Sequence, residues 1–158
     1  MIIEQRCTIP APVEQLWDFM LDVPAVSRCL PGVEAFTLAG DDAYDGAVKV
    51  RVGPIGIRLA GRIRVGERDR ARWQARMTAE GKDARIAGGV TATLSMRLEP
   101  RGPRETELHL HTDAAVLGKL GEFGQPVIRK SADRMLEQFA RNIVGELEAR
   151  QTAEGPGG

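Results

Sequence analysis

Aromatic side chains are scarce in this chain. Two Trp, one Tyr and four Phe make up 4% of 158 residues, too few for the stacking platforms that hold single-stranded nucleic acid. An excess of one charge is missing as well. Lys+Arg and Asp+Glu both number 22, so no net field draws the chain toward nucleic acid or anionic lipid. Cysteine is limited to Cys7 and Cys29, where a secreted disulfide scaffold would carry more, and both read as buried reduced thiols. No apolar run approaches the ~20 residues of a membrane span, and Met1 to Arg6 holds no signal-peptide core. These absences point to a cytoplasmic chain without a nucleic-acid partner. Contact with a membrane surface stays open to such a chain.

What is present is organised around Gly118 to Leu147. Three spaced glycines, Gly118, Gly121 and Gly124, lead into a helical pattern opened by Pro126, a residue suited to a helix start. Ile128, Ala132, Met135, Leu136, Phe139, Ile143 and Leu147 recur at steps of three and four. They form one apolar stripe on a helix of about six turns, which needs a broad apolar surface to lie on.

The rest of the chain supplies a sheet. Met1 to Ile9 reads as a strand, and Pro10-Ala11-Pro12 stops it. Val13, Leu16, Trp17 and Met20 share a helical face, and a short second helix covers Ala25 to Cys29. From Val33 the period changes from 3.6 to 2. Strand two is Val33 to Leu38. Strand three sets Tyr44, Gly46, Val48, Val50 and Val52 opposite Asp45, Lys49 and Arg51. Strand four sets Ile57, Leu59, Gly61, Ile63 and Val65 opposite Arg58, Arg62 and Arg64. Strand five sets Trp73, Ala75, Met77 and Ala79 opposite Arg72, Gln74 and Arg76, with a turn at Gly81-Lys82-Asp83. Gly88-Gly89 suggests a bulge or a close backbone approach. Strand six carries Val90, Ala92, Leu94, Met96 and Leu98. Strand seven carries Leu108, Leu110, Thr112, Ala114 and Val116 opposite Glu107, His109, His111 and Asp113. Strands with one apolar and one polar face form an antiparallel sheet solvated on one side. The order strand, two helices, six strands, long helix makes an α+β architecture in one domain, 1–150, with a polar tail at 151–158.

The apolar faces of strands three to seven carry no Asp, Glu, His, Lys, Arg or Cys in this register. Trp73, Tyr44 and Thr112 are their polar-capable members. General acid–base chemistry needs a titratable group within reach of a substrate, and these faces offer none. The space between sheet and helix is either filled core or an apolar pocket for an apolar ligand. Small residues at Gly46, Gly61, Ala75, Ala92 and Ala114 argue for a gap.

Other features weigh less. Gly-x-x-Gly-x-x-Gly at 118–124 matches no phosphate-binding fingerprint. It is a connection that needs positive φ, a mobile lid, or both. His109 and His111 share a strand face with Glu107 and Asp113, a spacing zinc can use. That face is the solvated one, so no metal site is assigned. Arg51, Arg58, Arg62, Arg64, Arg72 and Arg76 form either a solvated face or a docking patch.

Cys29-Leu30-Pro31-Gly32, Tyr44-Asp45-Gly46, Val52-Gly53-Pro54-Ile55 with Gly61, and Gly118-Lys119-Leu120 together resemble the CoxG-like family of carbon monoxide dehydrogenase. Ala11 to Trp17 and Gln138-Phe139 fit it too, and the likeness spans roughly residues 1 to 148. This family is part of the START-like, SRPBCC superfamily. The resemblance implies a helix-grip (START/Bet v 1-like) fold, in which a seven-stranded antiparallel sheet wraps a long C-terminal helix around an apolar cavity. It also implies a non-catalytic accessory role beside molybdenum hydroxylase subunits, such as those of aerobic CO dehydrogenase. Membrane recruitment and quinone handling go with that role. Some family members carry a C-terminal apolar anchor, where this chain has a polar tail, so the resemblance implies transient, peripheral contact at the inner face of the cell membrane.

On that fold and on strand parity, the ligand wall comprises Val50, Leu59, Ile63, Trp73, Met77, Leu94, Met96 and Leu110. The helix adds Val127, Ile128, Ser131 and Met135, and the rim is Pro54, Ile55, Leu120 and Phe123. The expected occupant is a hydrophobic small molecule held without a covalent bond, a quinone or another lipid-like compound. Two alternatives stand beside it: an assembly protein with a filled core that recruits the dehydrogenase through its surface, and a cyclase-like enzyme, which would need inward acids or histidines.

Overall fold

The computed structural model of the protein describes residues 1–154. Its elements run β1 (Ile2–Ile9), α1 (Val13–Leu21), α2 (Val23–Cys29), β2 (Val33–Gly40), β3 (Ala43–Val52), β4 (Ile55–Asp69), β5 (Gln74–Asp83), β6 (Gly88–Gly102), β7 (Glu105–Gly118) and α3 (Gln125–Glu154). Short 3-10 turns sit at Arg70–Arg72 and Lys119–Phe123. α3 continues past Arg150, where the tail was expected to begin; residues 155–158 lie outside the described residues.

Local chemistry explains the breaks. Pro12 precedes α1, and Asp22 both ends α1 and caps α2, its carboxylate accepting from Ala25 N–H at 3.3 Å. Several strand boundaries differ from the sequence reading, and two of the differences have a local cause. β5 continues through Asp83, because that side chain is itself buried and bonded, and the reversal falls at 84–87. Trp73 lies outside β5, in left-handed backbone at φ 54° after the 3-10 turn.

The seven strands form one antiparallel sheet in the order β1-β7-β6-β5-β4-β3-β2. β1 and β3 are five interstrand steps apart, about 24 Å along the sheet. α3 nonetheless touches both from opposite sides of a single turn. Ser131 Oγ donates to the Arg51 carbonyl of β3 at 2.7 Å, and Gln5 Nε2 of β1 donates to Asp133 Oδ1 at 2.9 Å. A helix is only about 10–12 Å across, so the sheet must curl until its two flanks meet one rod. A bulge between Val65 and Arg68 of β4 helps this bending.

The apolar interior is divided. One cluster packs α1, α2 and the C-terminal half of α3 on the ends of β1, β6 and β7. Ile9, Leu16, Leu108 and Ile143 are sealed in it at 0% exposure. A smaller cluster at the other end joins Val52, Ile57 and Leu120, with Ile86, Phe123, Val127 and Ile128 packed on them.

Candidate functional site: the band between two apolar plugs

Cross-strand pairing defines rows across the concave face. One row runs Thr112, Leu94, Met77, Val65. The next runs Ala114, Ala92, Ala79, Ile63, Tyr44. Ile63, Met77, Leu94 and, from α3, Met135 belong to neither apolar cluster and are half-buried. A solid core would seal such positions as it seals Leu98 and Leu108, at 2% and 0% exposure. These side chains therefore form a partly accessible band over the middle of the face, sealed by neither cluster. Its floor is lined by the short side chains of Ala79 and Ala92.

The sixteen residues of the sequence-based site distribute as follows. Ile63, Met77, Leu94 and Met135 form the half-buried band outside both clusters. Met96, Leu110 and Trp73 pack on the larger cluster, and Trp73 meets Trp17 edge-on at 5.6 Å. Val50, Leu59, Val127, Ile128 and Phe123 pack on the smaller cluster. Pro54 and Ile55 are exposed at the β3–β4 turn. Two placements differ from expectation. Leu120 is no rim residue: it is buried at 3% in the smaller plug, because the 3-10 turn folds it inward. Ser131 is buried, and its hydroxyl is committed to the Arg51 carbonyl, so it braces the helix and has no donor left for a ligand.

The glycine entry needs positive φ at Gly118 (62°) and Gly124 (82°). A Cβ on Gly118 would stand 2.0 Å from the Ala87 carbonyl oxygen, so the β7 exit is held tightly against the β5–β6 turn. That turn is fixed by Asp83, which sequence reasoning assigned to a simple reversal. Asp83 shares the inward parity of β5 and is 3% exposed. It accepts from the Arg85 side chain at 3.1 Å and from the backbone N–H groups of Arg58 and Arg85, each at 2.9 Å. The Arg85 guanidinium first, and then the Arg58 amide, hold the pKa of its carboxyl at about 2. Asp83 is a staple between β4 and the turn, with no lone pair aimed into the band.

β1 contributes inward residues that the sequence reading left out, Gln5 and Cys7. Gln5 is spent on Asp133, and burial, with Glu107 nearby, raises the Cys7 thiol above its ordinary value. Their alternation with Glu4 and Arg6 was the available signal.

The outer face is polar. Two open grooves, about 750 and 450 Å³, cross it and are lined by charged and hydroxyl side chains such as Arg6, Arg76, His111 and Thr93. Their chemistry does not suit an apolar ligand. On the same face Glu99, Glu107 and His109 bring ligand atoms within 4.8 Å of one another. Arg101 sits on both carboxylates, at 3.5 and 3.2 Å, and Arg97 on Glu99 at 3.3 Å. Arg101 holds Glu107 below the usual carboxylate range, so the cluster is a compensated ion network. Among the described residues no helix is long and apolar enough to cross a membrane.

Comparison with known proteins places this geometry. The family model of CoxG, a component of carbon monoxide dehydrogenase, matches residues 6–148. No curated protein sequence matches the chain. Among solved structures, a conserved protein from Geobacillus kaustophilus is similar at a TM-score of 0.85 and 21% identity, over 94% of this chain and 96% of that one. A START superfamily protein from Mycobacterium smegmatis follows at 0.65 and 15%, over 94% and 97%. The Zhui aromatase/cyclase from Streptomyces sp. R1128 is similar at 0.65 and 19%, over 98% of both chains. At these identities the likeness shows the fold, which is the START-like helix grip.

Proposed function

The chain belongs to the carbon monoxide dehydrogenase CoxG family, and from that premise we propose that it is an accessory carrier, holding an apolar small molecule under α3. The observation that carries this reading is the half-buried band of Ile63, Met77, Leu94 and Met135 between two sealed clusters. Each methylene moved from water into such a band gains about 0.8 kcal/mol, so an isoprenoid tail needs few polar contacts. The middle of the band carries no titratable side chain, which favours carriage over catalysis even though a cyclase shares the fold. The ligand we propose is a quinone, and the partner a molybdenum hydroxylase of the carbon monoxide dehydrogenase type.

Coupling to a membrane is part of the proposal. The β3–β4 turn, the end of β7 and the start of α3 meet at the smaller plug. Ile55 and Leu117 are exposed there at 40% and 50%. Arg51, Lys119, Arg129 and Lys130, on or beside these segments, are exposed cations, as is Lys82 near the end of β5. Apolar tips ringed by cations suit an anionic lipid surface.

Native mass spectrometry of protein purified without detergent tests the carrier reading. A lipophilic adduct, or uptake of one equivalent of decylubiquinone, is expected. Protein that carries nothing and takes up nothing contradicts it.

A further inference from the structure

Apolar pockets orient their ligands through a small number of placed polar groups. The concave side has several polar side chains, and nearly all are already engaged. Thr106 Oγ1 donates to the Ala11 carbonyl at 2.8 Å, Ser131 is tied to Arg51, Gln5 to Asp133, and Asp83 to Arg58 and Arg85. Tyr44 makes no hydrogen bond among the described residues, but its ring stacks on Phe36 at 5.0 Å, at the β2–β3 flank of the sheet.

Thr112 is different. It lies in the middle of β7, paired with Ile3 on one side and Leu94 on the other, in the row that continues to Met77. Its hydroxyl has no hydrogen-bond partner among the described residues. It is also not among the buried polar atoms left unsatisfied, so it faces accessible space. An isosteric valine would fit this apolar row with less desolvation cost. A hydroxyl here can turn to donate or accept.

We infer that Thr112 is a specificity-determining residue, whose hydroxyl donates a hydrogen bond to an oxygen on the ligand and so selects a carbonyl-bearing apolar molecule over a plain hydrocarbon. This rests on the carrier reading above. Binding sites built around a hydrogen bond reject analogues that lack it. The ligand class is an apolar body with a carbonyl oxygen near the middle of the band, its tail directed along Leu94, Met77 and Ile63.

The test uses two probes on the full chain: decylubiquinone, and diphenylhexatriene, which has no oxygen. Affinities are measured for the unaltered protein, Thr112→Val and Thr112→Ser, after thermal melts check that each variant is folded. Thr112→Val is expected to weaken decylubiquinone about five- to tenfold, to leave diphenylhexatriene unchanged, and to be rescued by Thr112→Ser. Equal affinity of Thr112→Val for decylubiquinone, or a parallel loss of both probes, overturns the inference while the carrier reading stands. If the unaltered protein binds neither probe, the carrier reading falls and takes the inference with it.

Discussion

Ser131 hangs α3 from the sheet by donating to the backbone carbonyl of Arg51 at 2.7 Å. Two residues on, Asp133 takes a hydrogen bond from Gln5 of β1. The helix thereby closes a sheet whose flanks are four intervening strands apart. Replacing Ser131 by Ala removes one flank's tie and leaves a carbonyl without its partner. A loss of about 1–2 kcal/mol is expected, read as a lower urea midpoint with an unchanged slope.

Asp83 makes stability depend on acid. Its folded pKa, about 2, lies below the ordinary 3.8 because the charged form is held by Arg85 and by the Arg58 amide. A depressed carboxyl stabilises the fold above its unfolded pKa, and that contribution is lost as pH falls from about 4 through about 2. Asp83→Asn should lower stability at neutral pH and flatten the profile across that window. Urea midpoints from pH 5 to pH 2 measure it; an unchanged slope in the variant would assign the acid sensitivity elsewhere.

The rim gives a separate prediction. Vesicles of phosphatidylglycerol and phosphatidylcholine should co-sediment the protein at low salt and release it at high salt, since exposed charges are screened. Lys119→Glu combined with Arg129→Glu should abolish sedimentation without changing the thermal midpoint. Retention by the double variant would move the lipid contact away from this end.

Much of this fold is legible in the residues. The alternation in Tyr44–Val52 and Val90–Leu98 sets strand faces through a period of two, and the stripe from Ile128 to Leu147 sets α3. Pairings such as Met77 with Leu94 follow from hairpin order. What escaped the sequence depends on backbone approach. Gly61 looked like room for a ligand, but a Cβ there would lie 1.8 Å from the Glu80 carbonyl oxygen. The glycine allows tight coiling of the strands and opens no space. Asp83 looked like a turn residue because nothing local announces Arg58 and Arg85 as its partners. Leu120 turned inward because Gly118 and Gly124 bracket a 3-10 turn, whose direction no periodicity encodes.

The central claim is an unfilled apolar band over Ala79 and Ala92. Tryptophan fluorescence reads it, because Trp73 packs, as Met96 and Leu110 do, on the larger cluster that bounds that band. Titration with decylubiquinone should quench emission to a one-to-one end point in the unaltered protein, and Ala92→Trp, which plugs the floor, should abolish the saturable phase measured at low ligand while keeping a cooperative melt. Saturable binding that survives in Ala92→Trp at the same affinity would contradict the account.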